Sequence, residues 1–154
     1  MKSVRRVALL DVNVLVALFD SDHVHHDLAH DWFADHRANG WATCPLTENG
    51  FVRVVSNPAY GHDSLRPEEV MKTLRQFRVS SRHLFWPDAV SLADERLFQL
   101  DIVAGHRQLT DVYLLGLAQK MKGCLATFDR TIPIKSVAGA TAATLQIISP
   151  AAER

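Results

Sequence analysis

Short apolar runs alternate along the chain with longer segments in which apolar residues recur every three or four positions. The short runs predict five β-strands, at residues 7–10, 41–44, 83–86, 124–128 and 144–148. The longer segments predict six α-helices, at residues 14–19, 26–37, 45–55, 67–77, 92–100 and 111–121. Because strands and helices alternate, we expect an α/β fold in which helices cover both faces of a mainly parallel central sheet.

Residues suited to the first turn of a helix support several of these boundaries. Pro45 and Pro67 stand at predicted first positions, where the missing N–H of proline loses no hydrogen bond. Ser91 and Asp94 have the spacing of a capping box in front of the helix predicted at 92–100. We expect a single domain over residues 1–154, since a hydrophobic content of 47% is enough for one core.

Composition limits the classes of function that fit the chain. Lys and Arg number 17, as do Asp and Glu, so there is no global positive field, and any contact with nucleic acid must be local. Cys44 and Cys124 lie in apolar contexts and form no CxxC pair, which favours reduced core thiols. Asp11 interrupts the apolar stretch near the N-terminus, and no apolar run reaches membrane-spanning length. We therefore expect a cytoplasmic protein without membrane contact.

Two acids directly follow predicted strands. Asp11 comes after the apolar run at 7–10, and Asp129 comes after the run at 124–128. Uninterrupted apolar runs are typical of strands buried on both faces of a parallel sheet. In open parallel sheets, ligands bind outside the carboxyl ends of the strands. We therefore expect both carboxylates at the edge of the sheet where sites form.

Two further acids lie on the apolar faces of predicted helices. Glu48 and Asp111 are each followed by apolar residues three, four and seven positions later, which places both on a buried stripe. A carboxylate facing a core is costly unless it is paired, hydrogen-bonded or bound to a cation. Pairing with Arg53, Arg107 or Arg130 is one explanation, and helix capping is another for Asp111. Four inward acids together favour a shared cation, and an oxygen-only donor set suits Mg²⁺ or Mn²⁺.

The segments around these acids resemble the motifs of the PIN domains, and among them those of the VapC toxins of type II toxin–antitoxin modules. They read LLDVNVLVALF around Asp11, PLTENGFVRVVSNP around Glu48, GHRQLTDVYLLGLA around Asp111 and LATFDRTI around Asp129. The segments follow the family's order at similar spacing, and the resemblance covers most of the chain. Each acid of the family is present without substitution.

The resemblance implies a PIN-like α/β/α sandwich and a metal-dependent endoribonuclease. It implies that Asp11, Glu48, Asp111 and Asp129 are the catalytic residues and the ligands of Mg²⁺, with Mn²⁺ as a substitute. The implied substrate is transfer, ribosomal or messenger RNA, cut to leave a 5′-phosphate and a 3′-hydroxyl, and this cleavage would inhibit translation and growth. The implied partners are a second copy of the chain, in a homodimer, and a VapB-like antitoxin whose tail occupies the active-site groove.

Two other classes of function stay open at this point. A structure-specific DNA nuclease would use the same acids, although such enzymes carry long insertions that this chain lacks. A catalytically inert RNA-binding regulatory module would use the acids for structure alone. If the chain is a ribonuclease or an RNA-binding module, cations near the acids would bind the backbone of the RNA. The candidates are Arg53, Arg82, Arg107, Lys120, Lys122 and Arg130.

Other polar residues near these motifs are interpreted as structural. Asn13 and Thr127 neighbour two of the acids, and we expect them to support the backbone rather than to position water. His26 and His30 are four positions apart on one helical face, as in some zinc sites. Nothing nearby completes a zinc site, so a polar helix face is the simpler interpretation.

Overall fold

The computed structural model describes residues 5–61, 65–80 and 82–150. Its strands are β1 (Ala8–Leu10), β2 (Trp41–Thr43), β3 (His83–Phe85), β4 (Cys124–Thr127) and β5 (Leu145–Ile147). Its α-helices are α1 (Val12–Phe19), α2 (His26–His36), α3 (Pro45–Val55), α4 (Pro67–Ser80) and α5 (Leu109–Lys120). Short 3₁₀ helices lie at Arg37–Asn39, Leu100–Ile102, His106–Gln108 and Ile134–Ser136. The five predicted strands and five of the six predicted helices are confirmed.

The strands form one parallel sheet in the order β3-β2-β1-β4-β5. β1 is the central strand and pairs with β2 on one side and with β4 on the other. Since all strands run in the same direction, their carboxyl ends lie at one edge of the sheet. The segments that follow β1, β2 and β4 therefore begin side by side.

The residues of β1 face two separate hydrophobic cores. Ala8 and Leu10 pack into a core with residues from α1, α2, α3 and α4, whereas Leu9 packs into a second core with residues from α5. This alternation follows from the two-residue period of a strand, and it requires apolar side chains at every position of β1. Helices on both faces of the sheet give the predicted α/β/α sandwich.

The prediction of a helix at residues 92–100 is wrong. This segment forms turns, followed by the 3₁₀ helix Leu100–Ile102. The hydroxyl of Ser91 accepts a hydrogen bond at 3.1 Å, and Asp94 Oδ1 accepts one at 2.9 Å, each from the backbone N–H two residues later. Such local bonds stabilise turns and compete with helix formation, so these residues act as turn formers and not as a capping box.

Contacts with a distant segment also hold residues 92–100 in this non-helical conformation. Phe98 forms an isolated antiparallel bridge with Val137, and the N–H of Gln99 donates to the carbonyl of Ser136 at 2.8 Å. The ring of Phe98 is buried, and a methyl group added at Gly116 of α5 would overlap it. The apolar residues that suggested a helix therefore cover α5 from a loop.

His26 and His30 bind the carboxyl end of α1. The distance from His26 Nδ1 to the carbonyl oxygen of Ala17 is 2.7 Å, and that from His30 Nε2 to the carbonyl oxygen of Leu18 is 2.8 Å. Both carbonyls belong to the last turn of α1, where they lack partners within the helix. The two rings therefore donate to helix carbonyls, which fits the interpretation of a polar helix face.

The two cysteines are free and buried, as predicted. Burial raises the pKa of the Cys124 thiol to about 11, and that of the Cys44 thiol is also raised. Both side chains are therefore neutral core residues. Within the described ranges, no helix combines the length and the apolar character that a bilayer crossing requires.

Candidate active site

Asp11 lies where β1 ends and α1 begins, and both oxygens of its side chain are held by hydrogen bonds. Oδ1 accepts from the N–H of Val12 at 2.7 Å, and Oδ2 accepts from the hydroxyl of Thr127 at 2.8 Å. The residue is only 6% exposed. Burial raises the pKa of Asp11, while these two hydrogen bonds oppose the increase and the charge of Asp129 adds to it. The sequence prediction of an acid at the carboxyl edge of the sheet agrees with this position.

Thr127 connects Asp11 to a second acid. Its hydroxyl donates to Asp11 and accepts from the N–H of Asp129 at 3.1 Å. Thr127 is the last residue of β4 and is fully buried. It therefore orients one acid through the side chain and the other through the backbone. Asn13, by contrast, is exposed on α1.

Asp129 follows β4 and is fixed by the next turn. Its Oδ1 accepts from the N–H of Thr131 at 2.8 Å and from the hydroxyl of Thr131 at 2.7 Å. The hydroxyl of Thr131 is the largest cause of a pKa of Asp129 below its usual value, and a hydrogen bond from Asp111 contributes to the same effect. Asp129 is therefore the charged member of its pair with Asp111.

Asp111 lies in the first turn of α5 and completes a group of three acids. Burial raises the pKa of Asp111 to about 7, and the charge of Asp11, a hydrogen bond to Asp129 and the charge of Asp129 add to the increase. The neutral form of Asp111 donates this hydrogen bond to Asp129. Carboxyl groups from three elements thus meet at the carboxyl edge of the sheet. We call Asp11, Asp111 and Asp129 the acid group.

Glu48 lies in α3, and its carboxylate has different partners. Its Oε2 accepts from the hydroxyl of Thr43 at 2.6 Å and forms an ion pair with Arg78 Nη1 at 3.4 Å. The side chain of Glu48 is 14% exposed. The charges that raise the pKa of Asp111 come from the acid group itself. The structure therefore couples three of the four predicted acids and holds Glu48 by an ion pair.

Arg78 was not among the arginines that the sequence suggested as partners of the acids. It lies 30 positions after Glu48, in the last turn of α4, and its guanidinium also lies 5.5 Å from the centroid of the Phe85 ring. The signal in the sequence was the spacing of buried Val70 and Leu74, which puts position 78 on the same face of α4.

His83 extends the contacts of Glu48 through Thr43. The distance between His83 Nε2 and the hydroxyl oxygen of Thr43 is 2.7 Å. Because the single hydroxyl proton of Thr43 is donated to Glu48, His83 Nε2 is the donor in this contact. Burial and the charge of Arg78 lower the pKa of His83 to about 4, so the ring is neutral near pH 7.

The chemistry of the acid group fits a hard divalent cation. Its donors are carboxylate oxygens, and Asp111 and Asp129 are held together by a proton that a cation can replace. In the ranges described here, no three side chains of His, Cys, Asp or Glu already stand in a metal-binding arrangement. The six arginines and lysines proposed to bind a nucleic-acid backbone are all exposed.

Comparison with known proteins agrees with this fold. Residues 8–139 match the PIN domain family. Ribonuclease VapC39 of Mycobacterium tuberculosis is 42% identical over 132 residues, which cover 86% of this chain and 95% of the relative. Ribonuclease VapC44 of the same organism is 41% identical over 134 residues, with 87% and 94% covered, and Ribonuclease VapC38 is 43% identical over 123 residues, with 80% and 85% covered. The chain therefore belongs to the PIN-domain family and is similar to the VapC ribonucleases within it.

Proposed function

We propose that this chain is a divalent-metal-dependent endoribonuclease whose catalytic and metal-binding residues are Asp11, Glu48, Asp111 and Asp129. The observation that carries the proposal is the meeting of the acid group at the carboxyl edge of a parallel sheet, where Asp111 is hydrogen-bonded to Asp129. The choice of RNA as substrate is supported by the relatives, which are named ribonucleases.

Asp11 is the member of the acid group with the least freedom, because Val12 and Thr127 each bind one of its oxygens. We expect it to be the central metal ligand, with Asp111 and Asp129 beside it. Metal binding requires the loss of the proton that Asp111 donates to Asp129. When bound, Mg²⁺ or Mn²⁺ would provide Lewis-acid chemistry and would lower the pKa of a coordinated water.

Glu48 is the fourth acid of the proposal, and we expect it to act partly through water. Its carboxylate is bound to Thr43 and Arg78, so direct ligation would require exchange of the ion pair. The two hydrogen bonds that link His83, Thr43 and Glu48 fix the carboxylate, and because His83 is neutral they add no second positive charge. Glu48 therefore contributes from a position that Thr43 and Arg78 already fix.

Cleavage assays with purified protein, freed of any bound partner, test the proposal. Total RNA and DNA are each incubated with Mg²⁺, with Mn²⁺ or with EDTA. We expect RNA to be cut to 5′-phosphate ends, no cutting in EDTA, and a loss of about a hundredfold or more in Asp111→Asn. Asp101→Asn, which changes an exposed acid outside the site, is the matched control and should cut normally.

Each alternative class of function predicts a different result in this assay. Cutting of DNA but not RNA would favour the structure-specific DNA nuclease. Metal binding without cutting of either nucleic acid would favour the inert RNA-binding module. Loss of activity in Asp101→Asn equal to that in Asp111→Asn would contradict the assignment of the acid group.

We also propose that the protein is the toxin of a VapBC-type module, active in the cytoplasm as a homodimer and inhibited by a VapB-like antitoxin. Support comes from the relatives, which carry the VapC name. Expression alone should arrest translation and growth, and co-expression of a small protein encoded next to it should restore growth by direct binding. Light scattering measures the dimer, and RNA-end mapping after induction identifies whether transfer, ribosomal or messenger RNA is cut. Harmless production of intact, folded protein would contradict the toxin role.

A further inference from the structure

A pocket of about 340 Å³ opens between the start of α3, the loop after β3 and the start of α5. We call it the Asp88 pocket. It is lined by Leu46, Asp88, Leu92, Leu109, Thr110 and Tyr113. The proposed cleavage reaction uses none of these residues. Part of its wall is the segment that forms turns where the sequence predicted a helix.

The Asp88 pocket adjoins the candidate active site along two helices. Leu46 lies two residues before Glu48 in the first turn of α3, and Thr110 directly precedes Asp111 in α5. The pocket is therefore at the carboxyl edge of the sheet, where the acid group also lies.

The lining of the pocket is mostly apolar. Three leucines and the ring of Tyr113 form apolar walls, and a single carboxylate, that of Asp88, stands among them. The phenol of Tyr113 lies near the carboxylate of Asp88. Burial, followed by the nearby charge of Asp88, raises the pKa of Tyr113 to about 12, so the phenol stays protonated. Asp88 is exposed, so its carboxylate oxygens can accept hydrogen bonds from a ligand.

We propose that the Asp88 pocket binds a guanine base of the RNA substrate, next to the bond that is cut, with Asp88 accepting hydrogen bonds from the base edge. This inference rests on the proposed ribonuclease function. Apolar and aromatic walls stack on the faces of a base, as is common where proteins bind unpaired RNA. The charge of Asp88 repels phosphate, so the base and not the backbone enters the pocket.

Guanine is the base whose edge matches Asp88. Its Watson–Crick edge presents two adjacent donors, N1–H and N2–H, which a carboxylate accepts as a pair. Adenine and cytosine each present one amino donor beside an acceptor, and uracil presents one N–H between two carbonyl oxygens. A carboxylate repels each of these acceptors. The pocket should therefore select guanine and disfavour uracil most strongly.

Nucleotide binding tests the pocket independently of cleavage. Guanosine 5′-monophosphate and uridine 5′-monophosphate are titrated separately into the full chain and followed by NMR. Because both carry the same phosphate, a difference in affinity reports the base. We expect tighter binding of guanosine monophosphate, with shifts at the amides of Leu92 and Thr110. In Asp88→Asn the preference should fall by about tenfold, because the paired acceptor is lost.

Two further variants separate base recognition from loss of folding. Leu92→Ser removes part of an apolar wall and should weaken both nucleotides to a similar extent, while Asp101→Asn should leave both affinities unchanged. Equal affinities for the two nucleotides in the wild type, or a preference that survives in Asp88→Asn, would overturn the proposal. Thermal unfolding of each variant shows whether the chain is folded in the assay.

Sequencing of cut ends connects the pocket to the substrate. RNA cut by the wild type should show guanine enriched at one fixed position within a few nucleotides of the cut, and the cuts made by Asp88→Asn should lack this enrichment. If guanosine monophosphate is selected and the wild type cuts no RNA, the proposed function fails and so does the assignment of the base to a substrate. Cutting with no base enrichment overturns the pocket proposal alone.

Discussion

The carboxyl group of Asp111 donates a hydrogen bond to Asp129, although one acid lies in the first turn of α5 and the other follows β4. The pair holds a proton because burial, and after it the charge of Asp11, disfavours the charged form of Asp111. In the absence of a cation, this proton is what allows the three acids to stay together. Proton release and metal binding are therefore linked at this site.

The stability of the metal-free protein should respond to pH through Asp111. Its pKa, about 7 in the folded protein against an ordinary 3.8, means that the folded state binds more protons between these values. The contribution of Asp111 to the free energy of unfolding is therefore present at low pH and falls as pH rises from about 4 to about 7. Denaturant titrations in EDTA across this range measure it. Asp111→Asn should reduce the slope, and a slope that is unchanged in this variant would contradict the assignment.

Replacement of Thr127 by Val should destabilise the protein and reduce cleavage. The substitution keeps the volume of the side chain but leaves a buried oxygen of Asp11 and the N–H of Asp129 without their partner. We expect a loss of about 1–3 kcal/mol in the free energy of unfolding. Thr127→Ser keeps the hydroxyl and serves as the control. Equal losses in both variants would indicate that packing, and not the hydroxyl, is what matters.

Replacement of Arg78 by Met should have little effect on stability but should increase the affinity for Mg²⁺. The side chain of Arg78 is 35% exposed, so its ion pair with Glu48 contributes no more than about 1 kcal/mol. As the proposed fourth acid, Glu48 would then be available to the ion without exchange of its ion pair. Mg²⁺-dependent shifts in melting temperature measure the affinity, with Arg75→Met, on an exposed face of α4, as the control. Weaker Mg²⁺ binding in Arg78→Met would contradict this prediction and would show that the ion pair with Arg78 orients Glu48 for metal binding.

Replacement of Gly116 by Ala should destabilise the fold, although alanine favours helices. The added methyl group would overlap the ring of Phe98, which is buried and whose backbone is held by a bridge to Val137. Overpacking of this kind costs about 1–3 kcal/mol. Gly105→Ala, where the added methyl meets no atom within 4 Å, is the control. Chemical denaturation compares the two variants. A Gly116→Ala variant as stable as the wild type would mean that the Phe98 ring can move to another position without cost.

The sequence was most informative where one physical requirement dominated a segment. The strands were predictable because a sheet covered on both faces needs apolar residues at every position, as in Ala8–Leu10. The three members of the acid group were predictable because charged residues are costly in such surroundings. The positions of Asp11 and Asp129 at the carboxyl edge followed from the direction of the strands.

The sequence was least informative where two distant segments decide a local outcome. Residues 92–100 have helical spacing, but Phe98 is bound by Val137, almost 40 positions later. Glu48 is likewise bound by Arg78, across the space between two helices. Local spacing cannot show that the hydroxyl of Thr127 reaches Asp11, because the two residues are 116 positions apart in the sequence.

The two ends of α1 are fixed by different parts of the molecule. Its first residue follows Asp11, whose side chain caps the helix. The carbonyls of its last turn accept hydrogen bonds from His26 and His30 of α2. An eight-residue helix is too short to be stable by itself, so these two anchors set its position. A ligand that displaced α2 would release the far end of α1 and loosen the acid at the near end. The surface of α2 is thus linked through α1 to the candidate active site.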